Sequence, residues 1–161
     1  NDGGRRVRAC LRGGNPGQTR PMTLRPLLDT NVLIDVALSR PGLHETSGAV
    51  VAWSLNHPGS AVVAVHTLAT VNYLLGRETG AAKAREFIGD LVPGIDIASL
   101  DNAGVSRALE LPLADFEDAL IAAAAESSAA THIVTRNLPD FRKSPVKAVS
   151  PEDFLRLTVG A

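Results

Sequence analysis

The sequence predicts an α/β protein, a three-layer α/β/α sandwich around a central parallel sheet of about four to five strands. Short aliphatic and β-branched runs at residues 27–29, 61–65 and 132–134 alternate with helix-length segments. Strands that alternate with helices pair in parallel and are covered on both faces. The third observation is local: the apolar run Pro26-Leu27-Leu28 is cut off by Asp29-Thr30-Asn31. This puts a carboxylate and two small polar side chains at the carboxyl end of a strand, the edge where open α/β sheets bind ligands.

The elements follow in order. The first strand covers residues 27–29, and a helix follows at once over 31–38, stopped by Arg40-Pro41-Gly42. A second helix over 44–55 ends at Asn56-His57-Pro58-Gly59, and the second strand takes 61–65. Residues 67–76 form a helix with Leu68, Val71, Leu74 and Leu75 on one face. A further helix runs from Thr79 to the Pro93-Gly94 break, before a third strand over 95–97. Asp101 caps a short helix to Glu110. Residues 114–127 are Ala-rich and free of Gly and Pro, the clearest helix in the chain. Strands at 132–134 and 146–149 complete the sheet. Ser150-Pro151-Glu152-Asp153 then starts a last helix, with a Ser cap, Pro in the first turn and acids behind it. Trp53 and Tyr73 fall on apolar helix faces and are read as core.

A chain of 161 residues suits one domain, here assigned to residues 22–161. Hydrophobic residues make up 45%, and no apolar stretch approaches the roughly 20 residues that span a bilayer. A membrane partner is therefore not expected. The single cysteine, Cys10, excludes an internal disulfide and a cysteine-built metal centre, and fits a reducing cytoplasm. The formal charge of −1 hides an asymmetry: residues 1–21 hold five Arg and one Asp, leaving eleven basic and sixteen acidic residues in the remainder. That first stretch is rich in Gly, Arg and Pro without apolar periodicity, and reads as a disordered or non-native extension ahead of Met22. A basic arm for nucleic acid is the alternative.

Acids recur at two further places. Asp115 and Asp118 lie three apart at a helix start and share a face, while Glu117 points elsewhere. The strand at 132–134 empties into Thr135, Arg136, Asn137 and Asp140. In a parallel sheet this loop shares an edge with Asp29, and the first turn of the Asp118 helix can reach it. Three acids in one place repel one another unless a cation joins them. Oxygen ligands without Cys or paired His suit a hard divalent ion, Mg²⁺ or Mn²⁺. Such ions activate water and stabilise the leaving oxygen in phosphodiester hydrolysis. Thr30, Asn31 and Thr135 would orient the ligands through hydrogen bonds. Structural readings stand beside these. Asp29 and Asp115 are good helix caps, Asn137 and Asp140 are ordinary turn residues, and Asp35 and Glu117 are read as solvated helix positions. The histidines show no ligand spacing, and His66 is read as a helix-start residue.

The ordered set resembles the PIN-domain family of nucleases, including VapC-type toxins. The matching text is Leu28-Asp29-Thr30-Asn31-Val32-Leu33, then Asp115-Phe116-Glu117-Asp118-Ala119-Leu120, then Ile133-Val134-Thr135-Arg136-Asn137 with Asp140-Phe141, and last Ser150-Pro151-Glu152-Asp153-Phe154-Leu155. The resemblance implies metal-dependent cleavage of RNA, with Asp29 and Asp118 as ligands and Asn137 or Asp140 completing the shell. It also implies an antitoxin partner and homodimerisation through helices of residues 31–55 and 67–92. Two positions depart from the family pattern: Thr70 stands where Glu is expected, and Asn137 where Asp is common. Both departures bear on catalysis, and an RNA- or protein-binding module with impaired chemistry is the second reading. A phosphotransfer domain is disfavoured, since Asp29-Thr30-Asn31 lacks a closely following second acid. Residues 136–147 carry Arg136, Arg142, Lys143 and Lys147 against Asp140. This basic loop is either a solvated turn or a holder of RNA phosphates, with Arg136 as the leading phosphate ligand.

Overall fold

A computed structural model describes residues 23–160. The basic extension expected over residues 1–21, with Cys10 and Met22, lies outside the described residues. Five parallel strands, β1 (Pro26–Leu28), β2 (Val62–Ala64), β3 (Asp96–Ala98), β4 (His132–Val134) and β5 (Ala148–Val149), form one sheet in the order β3-β2-β1-β4-β5. Between them run α1 (Thr30–Ala37), α2 (His44–Asn56), α3 (Val65–Thr79), α4 (Ala81–Leu91), α5 (Asn102–Glu110) and α6 (Phe116–Ser127), with α7 (Pro151–Val159) at the end.

Successive strand residues point to opposite faces, and in β1, β2 and β4 both faces are dry, while Asp96 and Ile97 of the edge strand β3 are exposed. Leu28, Val63, Val134 and Val149 pack with α1, α2, α7 and residues of α3 and α4, among them Val32, Val50, Val71, Leu91 and Phe154. Leu27, Val62, Ala64 and Ile133 pack on the other face against α5 and α6, through Ala108 and the row Ala119 to Ala125. Small alanines let α6 lie close to the sheet. This two-sided burial is why the strands read as continuous apolar runs rather than alternating ones.

The chain builds β1, β2 and β3 outward in one direction, then crosses back over α5 and α6 to place β4 on the far side of β1. The connections therefore diverge at the β1–β4 seam, the position where such sheets open a crevice. The register sets Leu28 beside Val134, so Asp29 and Thr135 leave the sheet as neighbours.

Element limits move by one to three residues from the sequence expectation; α3 gains Val65 and His66 at its start and runs on to Thr79, and β5 shortens to two residues. Tyr73 is a correction: it is 61% exposed on the outer face of α3, where Arg77 covers its ring at 5.7 Å. Leu74 is exposed as well, while Thr67, Val71 and Leu75 form the buried side of α3. Trp53 does pack against the core and meets Phe154 edge-on.

Candidate active site

Asp29 ends β1 and caps α1. Its Oδ1 accepts the Thr30 N–H at 2.7 Å, and its Oδ2 accepts from the Thr135 hydroxyl at 2.7 Å and from Asn31 Nδ2 at 3.0 Å. Asn31 in turn accepts the Arg136 N–H at 3.1 Å, and the Thr135 oxygen accepts the Asn137 N–H at 3.0 Å. The loop after β4 is thus stitched to the start of α1. Burial pushes Asp29 above the ordinary carboxylate range; the hydrogen bonds from Thr135, Thr30 and Asn31 oppose this, and the charge of Glu117 adds to it.

Asp115 caps α6, its Oδ1 accepting the Glu117 and Asp118 N–H groups at 2.8 and 3.2 Å. That leaves Asp118 on the first turn, facing the Asp29 end of the sheet. Its carboxyl is pushed up to about 6, first by burial and then by the charges of Asp29, Asp115, Asp140 and Glu117. The electrostatic crowding expected from the sequence is present.

These groups line one cavity of about 450 Å³, whose wall includes Asp29, Thr30, Asn31, Asp115, Glu117, Asp118, Asn137 and Asp140. Asn137 and Asp140 reach it from the turn after β4, where a short 3₁₀ segment (Leu138–Phe141) is pinned by buried Phe141. The acids stand around the cavity rather than at a single point: among the described residues no three His, Cys, Asp or Glu form a ready-made ion cage. A Mg²⁺ ion held by one or two carboxylates keeps several waters, so a closed cage is not required. An all-oxygen donor set with excess negative charge fits such an ion.

Two residues on the wall were not expected from the sequence. Glu117 was read as a solvated helix position; it is exposed, but its Oε1 lies 3.5 Å from the Thr30 hydroxyl and 3.4 Å from that of Thr70. Arg40 was read as part of a helix stop, and its side chain lines the same cavity. Glu117 sits inside the Asp115–Leu120 motif but its direction came only with the packing of α6 beside Thr70 of α3, and Arg40 arrives from the α1–α2 turn without a motif signal. His66, near Glu117, is held below its ordinary range by burial, and its Nε2 is buried without a hydrogen-bond partner among the described residues.

Asp35 and Arg136 are corrections. Asp35 is fully buried, because α1 is enclosed on all sides and Val32, Leu33, Ile34 and Asp35 are buried in succession. Its Oδ2 accepts from Arg136 Nε at 3.0 Å and from the Ser47 hydroxyl at 2.8 Å. Arg136 further donates to Glu152 at 2.7 Å and, through Nη2, to the Leu43 carbonyl, Thr46 and Ser47 at 3.0, 2.8 and 3.0 Å. Against the pull of burial, that ion pair holds Glu152 down at about 2. With most of its donors so engaged, Arg136 clamps α1, α2 and α7 together. Arg142 and Lys143 are exposed, and Arg142 lines a second hollow with Lys147 beyond the 3₁₀ turn.

A family model described as PIN domain matches residues 25–139. The chain belongs to the PIN domain family. Among solved structures, VapBC2 from Rickettsia felis, bound to a DNA fragment from its promoter, aligns with a TM-score of 0.63 at 15% identity, covering 79% of this chain and 98% of that one. PAE2754 from Pyrobaculum aerophilum aligns with a TM-score of 0.59 at 21% identity over 87% and 99% of the two chains. VapC20 from Mycobacterium tuberculosis, a sarcin-ricin loop cleaving toxin, aligns with a TM-score of 0.55 at 15% identity over 67% and 86%. At these identities the likeness establishes the PIN fold. No curated protein sequence matches the chain. No helix among the described residues is long and apolar enough to cross a membrane.

Proposed function

We propose that this PIN domain is a metal-dependent endoribonuclease, using Mg²⁺ or Mn²⁺ to hydrolyse RNA phosphodiester bonds, and the cytoplasmic toxin of a toxin–antitoxin pair. The observation that carries this reading is the convergence of Asp29, Asp118, Asn137 and Asp140, from three separate elements, on one cavity at the β1–β4 seam. A divalent ion there would supply an activated water and screen the charge that develops on phosphate. Asp29 and Asp118 would hold it, with Asn137 and Asp140 completing the shell through water. Thr30, Asn31 and Thr135 fix the Asp29 carboxylate so that it need not reorganise as charge moves. Asp115 orders the first turn of α6 and so places Asp118. Arg142 and Lys143, exposed beyond the turn, would meet RNA phosphates further along the strand.

The toxin role is supported by family membership and by likeness to toxin–antitoxin structures such as VapBC2. The proposed partners are an RNA substrate, an antitoxin protein and a second copy of the chain. A second reading, a binding module with impaired chemistry, is favoured by Thr70 and Asn137, neutral groups on a wall otherwise rich in acids. Incubating RNA with the wild type, Asp29→Ala and Asp118→Ala in Mg²⁺ or Mn²⁺ separates the two. Chelator-sensitive cleavage lost in both variants supports the nuclease. RNA binding with no metal-dependent cleavage by the wild type supports the module.

A further inference from the structure

We propose that Arg40 is the phosphate-gripping cation of the cavity, holding a phosphodiester of single-stranded RNA beside the scissile one; this rests on the ribonuclease reading. A cavity walled by Asp29, Asp115, Glu117, Asp118 and Asp140 repels a polyanion, and Arg40 is the one Lys or Arg lining it among the described residues. The sequence assigned the phosphate to Arg136, whose donors are taken by Asp35, Glu152, Leu43, Thr46 and Ser47. The guanidinium of Arg40 is differently placed. Its side chain is 46% exposed, and its one ion pair among the described residues is a long contact of 3.5 Å to Asp35 Oδ1. Asp35 Oδ2 is already held by Arg136 and Ser47 at 3.0 and 2.8 Å, while Oδ1, buried without a hydrogen-bond partner among the described residues, has Arg40 only at this long distance. A guanidinium has five N–H donors in a planar fork suited to two phosphate oxygens, and the long contact leaves most of them open.

The backbone at Arg40 is fixed. Its N–H donates to the Asp35 carbonyl at 3.0 Å, and its carbonyl accepts from Leu43 and His44 N–H groups at 3.1 and 3.0 Å. Ser39 just before it takes φ 48°, a left-handed conformation that a non-glycine residue holds only when its surroundings impose it. Arg40 follows the far end of α1 from Asp29, and an eight-residue helix spans about 12 Å. A cation at that end reaches a phosphate next to the reacting one.

The test measures binding of a fluorescent single-stranded RNA oligomer by anisotropy, in EDTA to prevent cleavage, across a series of KCl concentrations. Arg40→Gln should weaken binding about tenfold at 0.1 M salt. It should also reduce the slope of log affinity against log salt by about 0.7, the loss of one phosphate contact to a single strand. In cleavage assays KM should rise with little change in kcat. Arg40→Lys, which keeps the charge and loses the fork, should keep the slope and lose about threefold in affinity; this variant decides the matter should Arg40→Gln not fold. Unchanged affinity and slope in folded variants, with only a lower Tm, would make Arg40 a mere partner of Asp35 and overturn the proposal. If the wild type cleaves RNA in an Asp29-dependent way while Arg40→Gln binds normally, only this inference fails. If the wild type neither binds nor cleaves RNA, the ribonuclease reading fails and this inference with it.

Discussion

The Thr135 hydroxyl donates to Asp29 Oδ2 at 2.7 Å, joining the first residues past β1 and β4 across the seam of the sheet. Both residues are buried, and the same Asp29 oxygen takes Asn31 at 3.0 Å. The hydrogen bond stabilises the charged carboxylate where burial opposes it. Thr135→Val keeps the shape and removes the donor, so the Asp29 pKa should rise further and the fold should lose about 1–2 kcal/mol. Mn²⁺ affinity, read by titration calorimetry, should fall about 10- to 100-fold, while Thr135→Ser should retain most of it.

Asp118 gives the protein a defined pH response. Its folded pKa of about 6 lies above the ordinary 3.8, so the folded state holds the proton more tightly than the unfolded one. Stability without metal should therefore fall as pH rises from about 4 to 6, then level off. Asp118→Asn should remove most of this slope and stabilise the metal-free protein at pH 7 by about 1 kcal/mol, allowing for screening at a partly open site. Urea denaturation in EDTA at pH 4 and pH 7 measures both effects. A bound divalent cation favours the ionised carboxylate, so in saturating metal the Asp118 titration should move to lower pH than in EDTA.

Metal should reverse the penalty of crowding. Saturating Mg²⁺ or Mn²⁺ at about 100 times Kd should stabilise the fold by about 2.7 kcal/mol, and EDTA should abolish the gain. Asp29→Asn and Asp118→Asn should lose most of the Mn²⁺-induced increase in Tm. An increase that survives both substitutions would place the ion elsewhere.

Arg136 is expected to matter for stability rather than for binding RNA. Arg136→Met leaves Asp35 buried with the Ser47 hydroxyl and, as its cation, only the long Arg40 contact, and should cost about 3–5 kcal/mol in urea denaturation. Pairing it with Asp35→Leu should restore part of the loss, because an apolar pair avoids the uncompensated charge. The salt slope of RNA binding by the folded double variant should match that of the wild type.

Much of the fold was legible because its signals are local. Apolar runs bounded by Gly, Pro and Asp give the strands, and Asp101, Asp115 and Ser150 cap the helices where the sequence places them. That Asp29, Asp118 and Asp140 share one cavity wall was legible for the same reason: each ends a strand or stands in a first turn, and a parallel sheet brings such positions to one edge. What could not be read was the direction of charged side chains. Asp35 and Arg136 looked like solvent and substrate groups, yet they find each other across 101 residues in a dry interior. Glu117, read as a solvated helix position, and Arg40, read as part of a helix stop, stand on the cavity wall.

The sequence by itself determined the order of strands and helices, the two dry faces of the sheet and the edge where the acids gather, since periodicity and capping act over a few residues. Tertiary structure alone decided which cation is spent on a buried acid and which faces the cavity. That choice depends on the desolvation each pair undergoes when distant helices close over it, and no run of neighbouring residues encodes it.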